Sequence, residues 1–296
     1  VIPPPHLPPL RGEACGKVIL IGEHAVVYGV EGIALPIPLF VRVRLGKGPP
    51  VEGLPDPWLQ WFQEISKTLC GEIFLPVGSE GDLPPGAGLG SSAAFTVASL
   101  RALPHPPEEP EQLIVLADEG EKIFHGNPSG LDVRTVVYRK PIRFQRRKGT
   151  LFLEPLPPPT TPFWLTLWIT PKGPPTREMV ERVGKALQKR GEESTLREAE
   201  RIVASALKAF LSGDLDLLGE QLTAFHRWLR ELSVSTPLLD ELVELALRNG
   251  ALGAKVTGAG GGGTLLALWR TAPPFIPLPD GVYGFGPWEI GSALMG

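Results

Sequence analysis

The chain has 296 residues, enough to bury a substantial core and about the length at which one core divides into two, so a small stapled mini-protein is excluded. Its 29 basic and 32 acidic residues leave a formal charge of −3, which removes any global electrostatic case for wrapping nucleic acid or lying on anionic lipid. Cys15 and Cys70 are too few for a disulfide framework, the histidines show no His-x-x-x-His spacing, and no apolar run approaches the ~20 residues of a membrane span, so a soluble, cytoplasmic protein is expected.

Residues 1–10 are dominated by proline and read as an extended lead-in. A buried strand is expected over 17–21. Edge or bent β structure follows over 34–43, where Pro36 and Pro38 interrupt and Arg42 and Arg44 alternate with Val41 and Val43. The spacing of Trp58, Trp61, Phe62, Ile65 and Leu69 predicts a helix over 58–69; 74–77 reads as a short strand, and 91–103 and 108–124 as helices. After a turn at 125–130, residues 133–144 read as paired strands broken near Pro141. Pro157, Pro158, Pro159 and Pro162 mark the best linker candidate, which places a boundary near 155 and domains at 1–155 and 156–296. Beyond it come a strand at 163–170, four helical stretches between 177 and 249, two strands flanking 258–263, and a last β element at 282–290. The mixture is α+β rather than an alternating doubly wound pattern.

The segment Pro84-Pro85-Gly86-Ala87-Gly88-Leu89-Gly90-Ser91-Ser92-Ala93-Ala94 sets three glycines and two hydroxyls directly before a helix. Glycines let backbone approach an anion without Cβ collisions, and first-turn N–H groups point at it along a favourable dipole. Ser91 or Ser92 is suited to cap that helix or to reach a phosphate-bound magnesium; a plain glycine turn with an N-cap serine is the competing reading. A Walker A loop is disfavoured, because G-x-x-x-x-G-K-[ST] needs a lysine that this loop lacks. The run 258–263 formally satisfies G-x-G-x-x-G, but 264–269 reads as a strand, whereas the dinucleotide fingerprint opens a helix. A glycine hairpin whose bare backbone comes close to a ligand is the better reading.

On a helical wheel started at Leu113, Glu121 falls in the apolar half with Ile114, Leu116, Ala117, Gly120, Ile123 and Phe124, while Asp118 and Lys122 fall outside it. A carboxylate on a buried stripe is costly unless a cation or hydrogen bonds compensate it. Glu121 is therefore a candidate magnesium ligand, with a capped or snorkelling glutamate as the alternative. Asp132, at the lip of the expected strand, is placed either as a base or as an ordinary turn carboxylate. Lys17 precedes a buried strand and Gly22-Glu23-His24 ends it, and each of these also suits an ordinary structural role. The basic knot Arg143, Arg146, Arg147 and Lys148 reads as a solvated strand end or a local anion contact.

In this order the segments resemble the GHMP kinase superfamily. Gly16-Lys17-Val18-Ile19-Leu20-Ile21-Gly22-Glu23-His24-Ala25-Val26-Val27-Tyr28-Gly29 is similar to its first motif and 86–94 to its ATP-binding second. Lys255-Val256-Thr257-Gly258-Ala259-Gly260-Gly261-Gly262-Gly263 is similar to the third. His125-Gly126-Asn127-Pro128-Ser129-Gly130-Leu131-Asp132 resembles the segment carrying the catalytic aspartate in the branch that phosphorylates mevalonate. The resemblance implies a two-domain fold: an ATP-binding N-terminal domain like ribosomal protein S5 domain 2 and a ferredoxin-like C-terminal domain.

It further implies transfer of the γ-phosphoryl of ATP to the primary hydroxyl of mevalonate. ATP would lie on Pro85, Gly86, Ala87, Gly88, Leu89, Gly90, Ser91, Ser92 and Ala93, with Mg2+ held by Ser92 and Glu121. Asp132 would accept the hydroxyl proton with Lys17 beside it, and Glu23, His24, Tyr28, Thr257 and Gly258 would serve the substrate. A sibling kinase acting on phosphomevalonate or another small hydroxy acid, and a catalytically silent ligand sensor, are the competing implications. Superfamily members are often dimers, so a homodimer is among the expectations. Two departures stand out: Cys15 where the family usually has proline, and Arg139 where a glycine commonly follows the tyrosine.

Overall fold

The computed structural model describes residues 10–126 and 128–291. The expected lead-in, up to its last residue, lies outside the described residues, as does Asn127 in the turn at 125–130. Contacts gather the chain into two units, 1–16 with 38–85 and 90–138, and 17–37 with 86–89 and 139–296. No unit edge falls at 155. The proline-rich 156–162 carries no regular structure, but the change of unit comes between Tyr138 and Arg139. Proline marks where regular structure stops, whereas compactness follows pairing with residues distant in sequence, and such pairing draws 17–37 and 86–89 into the second unit.

The first unit contains the start of β1 (Arg11–Ile21), the end of β2 (Glu31–Gly46), α1 (Asp56–Cys70), β3 (Leu75–Gly81), α2 (Ser91–Arg101), α3 (Pro110–His125) and α4 (Leu131–Tyr138). β2 pairs antiparallel with β3, from Val41 opposite Gly81 to Gly46 opposite Leu75. The expected alternation holds there, with Val41, Val43 and Leu45 buried and Arg42 and Arg44 exposed. On α1 the buried Trp58 stacks on Phe62 with ring centroids 5.2 Å apart and gives its Nε1–H to Thr96 Oγ1 on α2 at 3.3 Å. A buried indole needs such an acceptor. α3 meets α2 at Gly120, where a Cβ would lie 2.8 Å from Thr96 Cγ2 and 3.0 Å from the Trp61 ring. That approach brings the next residue, Glu121, to the start of α2.

Residues 131–138 depart from the sequence reading. The run Val133-Arg134-Thr135-Val136-Val137 has strand propensity, yet it forms α4, and β4 begins only at Ile142. Tertiary burial decides the outcome: α4 packs on α2 and α3, and Leu131, Val133, Thr135, Val136 and Val137 are all buried, more than one face of a half-buried strand accommodates. Thr135 donates its hydroxyl to Leu131 O one turn back at 2.8 Å, which satisfies a buried polar group within the helix. Asp132 therefore sits in the first turn of a helix rather than at the lip of a strand.

The second unit holds β1 from Lys17 onward, the start of β2, a short 3-10 turn at Ala25–Tyr28, and the hairpin of β4 (Ile142–Arg147) and β5 (Thr150–Pro155). It continues through β6 (Phe163–Ile169), α5 (Thr176–Arg190), α6 (Glu192–Ser212), α7 (Leu215–Glu231), α8 (Pro237–Arg248), β7 (Gly253–Thr257), β8 (Thr264–Trp269) and β9 (Tyr283–Ile290). β4 pairs with the start of β2, Gln145 opposite Glu31, and with β5, a strand the sequence reading did not anticipate. The basic knot lies on this hairpin and is largely engaged within it. Arg143 bonds Glu31 and Glu154, Arg146 donates to Gly149 O, and Arg147 donates to Gln145 Oε1 while its guanidinium covers Phe152.

The remaining strands form an antiparallel sheet ordered β7-β8-β6-β9, which is the strand order of a ferredoxin-like sheet. Four helices, α5 to α8, lie between β6 and β7, and residues 270–282 between β8 and β9 contain no helix. β7 and β8 are buried at every position, which suits the apolar run Leu265 to Trp269 of β8, while β7 buries Lys255 and Thr257 as well. They flank residues 258–263 with Thr257 opposite Thr264, the glycine hairpin expected from the sequence. Among the described residues no helix is long and apolar enough to cross a membrane.

Candidate active site

In the second unit, residues 86–89 form a loop whose carbonyls are engaged by side-chain and backbone donors. Thr264 Oγ1 donates to Ala87 O at 3.0 Å, Lys17 Nζ to Gly88 O at 3.1 Å, and the Lys17 amide to Leu89 O at 2.9 Å. In a trans peptide the C=O and the next N–H point in opposite directions, so pinning these three oxygens turns the amides of Gly88, Leu89 and Gly90 the other way. Gly86 and Gly88 have φ of 73° and 78°, the left-handed conformation that successive amides need to make an anion-binding concavity. Gly90, also left-handed, is the N-cap of α2 and no side chain caps it, so neither Ser91 nor Ser92 acts as the N-cap. Lys17 is buried and bound to this loop.

Four of the expected substrate residues gather elsewhere in the same unit. Glu23 makes a buried ion pair with Lys255 on β7, and the ammonium also lies 5.8 Å from the centroid of the Phe225 ring. Burial pushes the Glu23 carboxyl above its ordinary value against the pull of Lys255, and burial lowers Lys255. Glu23 Oε2 is buried with no hydrogen-bond partner. His24, at φ 59°, has Nε2 2.9 Å from Ala259 O in the glycine hairpin, and burial lowers its pKa, which favours the neutral imidazole. Thr257 donates Oγ1 to Ile19 O at 2.8 Å, and Gly258 follows at φ 84°. Tyr28 instead reaches α5, its hydroxyl 3.3 Å from the point a Cβ on Gly184 would occupy; burial, then Glu192, pushes that phenol up.

In the first unit, Glu121 is buried as its place on the wheel suggested, and it meets Ser92. Glu121 is 2% exposed, and Ser92 Oγ donates to its Oε2 at 3.1 Å. His125 Nε2 lies 2.9 Å from Ser92 Oγ and 3.7 Å from Glu121 Oε2. Ser92 and Glu121 offer two hard oxygen donors side by side. That suits a magnesium ion, which takes one or two protein oxygens and completes its shell with phosphates and water. Among the described residues there is no cluster of three His, Cys, Asp or Glu placed to hold a metal ion. Asp132 is half-buried in α4. Its neighbour Arg134 donates to Asp118 on α3 at 2.9 Å and to Gly130 O at 3.2 Å, which fixes the start of α4 on the helix that carries Glu121.

Sequence reasoning named Ser92, Glu121, Lys17, Glu23, His24 and Thr257 but gave no role to the residues that position them. Lys255 appeared only as the first residue of the third motif, Asp118 only as a residue outside the apolar half of its helix, and Arg134 was not singled out. Arg139 has φ 50°, so the departure from glycine keeps the left-handed backbone that glycine adopts without strain.

Residues 62–140 match the family model for the GHMP kinases N terminal domain, and residues 206–273 that for the GHMP kinases C terminal. The chain belongs to the GHMP kinase family. Within it, the chain groups with the mevalonate kinases: it is 35% identical to the mevalonate kinase of Aeropyrum pernix over 88% of each chain. It is 31% identical to that of Pyrococcus horikoshii, covering 86% of this chain and 87% of the relative. The crystal structure of L. major mevalonate kinase in complex with R-mevalonate superposes with a TM-score of 0.76 at 28% identity, covering 88% of this chain and 87% of that one.

Proposed function

We propose that this chain transfers the γ-phosphoryl group of ATP to the primary hydroxyl of mevalonate, releasing ADP and 5-phosphomevalonate. The observation that carries the reading is the buried Glu121 carboxylate bonded to Ser92 at the start of the helix that the glycine loop opens. A buried carboxylate on an apolar stripe is costly, and a cation shared with phosphate oxygens offsets that cost.

Phosphoryl transfer leaves little covalent work to the protein, so the roles are positioning and charge compensation. The outward amides of 88–90 hold the phosphate tail, with Pro85 to Ala93 as the wider nucleotide segment. Ser92 and Glu121 would hold Mg2+, which would supply neutralisation of phosphate charge. Asp132 accepts the hydroxyl proton as the alcohol oxygen forms its bond to phosphorus and the β,γ-bridging oxygen leaves with ADP. Lys17, already tied to Gly88 O, supplies positive charge to the alcohol oxygen. Glu23 Oε2, His24 and the backbone at Thr257 and Gly258 orient mevalonate, with Tyr28 further out. As a division of the family segments rather than of the compact units, the domains 1–155 and 156–296 belong to the same proposal, since the two matched segments lie on either side of 155.

An ADP-release assay over a panel of mevalonate, phosphomevalonate and other small hydroxy acids tests this, with the product identified by phosphorus NMR. Mevalonate-dependent ADP release with phosphate on the primary oxygen is expected. Preference for phosphomevalonate would support the sibling kinase, and ATP binding without turnover of any panel member would support a sensor.

A further inference from the structure

The glycine loop lacks the lysine that a Walker-type cradle carries in its own sequence, but the second unit supplies one from elsewhere. Lys172 lies in the connection between β6 and α5, and its Nζ stands 3.6 Å from the point a Cβ on Gly86 would occupy. The backbone on either side of Lys172 is tied down. Thr170 donates both its amide and its hydroxyl to Gly263 O, at 2.7 and 3.0 Å, and the Gly263 amide donates back to Pro171 O at 3.2 Å. Gly173 fits so closely on the glycine hairpin that a Cβ there would lie 2.4 Å from Gly261 O. The connection is thus zipped onto 258–263, with one exposed ammonium at its tip beside the other glycine segment.

Among the described residues Lys172 has no ion-pair or hydrogen-bond partner. A flexible ammonium with no carboxylate to hold it, on a fixed backbone beside a glycine loop whose carbonyls are already engaged and whose amides point away from them, adds a mobile positive charge to an anion cradle. We infer that Lys172 is a nucleotide-binding residue that donates to the polyphosphate of ATP at the Gly86 end of the loop. It is the counterpart, drawn from a distant segment, of the lysine the loop itself does not carry. The inference rests on reading 86–92 as the ATP cradle.

Calorimetric titration of the wild-type chain, Lys172→Met and Lys172→Arg with ATP, ADP and AMP in the presence of Mg2+ tests it, alongside steady-state kinetics and thermal melting. Loss of one charge-assisted bond predicts ATP binding about tenfold weaker in Lys172→Met. AMP binding, the KM for mevalonate and the melting midpoint are expected to stay at wild-type values, with most of the ATP affinity restored in Lys172→Arg. ATP affinity in Lys172→Met within about twofold of wild type, or an equal loss for AMP, overturns the inference while leaving the proposed reaction standing. If the wild-type chain itself binds no ATP, the cradle reading and this inference fall together.

Discussion

Replacing Lys255 by methionine removes an ammonium that is 0% exposed and leaves Glu23, 3% exposed, facing the gap. Glu23 Oε1 bonds that ammonium, and Oε2 has no hydrogen-bond partner, so the carboxylate would be left buried without its counter-charge. Breaking a buried pair by deleting one partner costs about 3–5 kcal/mol. Methionine fills most of the space of the lysine stem, so the loss is chiefly electrostatic rather than that of a cavity. Burial already raises the Glu23 carboxyl above its ordinary 4.5, and Lys255 is the largest opposing influence. With the ammonium gone the folded carboxyl titrates higher still, and the folded state holds a proton that the unfolded state has released. The contribution of Glu23 in the variant is then fully favourable below 4.5 and is lost as pH rises from there through the folded value. Urea unfolding of both chains at pH 5 and pH 8 reads this out. The deficit of Lys255→Met is expected to be about 3–5 kcal/mol at pH 8 and distinctly smaller at pH 5, and Glu23→Gln/Lys255→Met to regain most of it at pH 8. A deficit below about 1 kcal/mol at both pH values, or one that grows on acidification, would refute the reasoning.

Asp132→Asn is expected to lower kcat by about 10²-fold or more while ATP affinity stays near wild type, and near-normal turnover would remove Asp132 from the role of base. Glu121→Gln keeps an acceptor for Ser92 but loses the charge, so the Mg2+ concentration for half-maximal activity is expected to rise about tenfold or more; a titration overlaying wild type would make Glu121 structural. His226 on α7 donates Nε2–H to Asp240 at 3.0 Å and accepts the Val256 amide on Nδ1 at 3.3 Å, and burial lowers its pKa to about 4. Its contribution to stability is present above 6.5 and lost as pH falls from there toward 4, on the order of 3 kcal/mol in all. Histidine NMR resonances tracked from pH 8 to 4 check this, and a His226 midpoint near 6.5 would contradict it.

Much of the architecture is legible because its signals are local. Periodic apolar residues mark α1, α3 and the four helices α5 to α8, and a glycine run between two apolar stretches marks the β7–β8 hairpin. Glu121 was legible for the same reason, since a carboxylate inside an apolar stripe contradicts its own helix. α4 was not, because the β-branched run at 133–137 carries a local preference that packing on α2 and α3 reverses. Lys172 and the Glu23–Lys255 pair were beyond reach for another reason. They depend on segments that are adjacent in space but distant in the sequence, and nothing in the spacing of either segment reports its partner.

The central claim is that Asp132 and Lys17 act on the same alcohol oxygen of mevalonate. A crystal structure of the chain with mevalonate, Mg2+ and a non-hydrolysable ATP analogue measures this directly. The account predicts an Asp132 carboxylate oxygen and the Lys17 ammonium each within about 3 Å of the primary hydroxyl, with the γ-phosphorus in line beyond it. A hydroxyl bound out of hydrogen-bond reach of either group would contradict it.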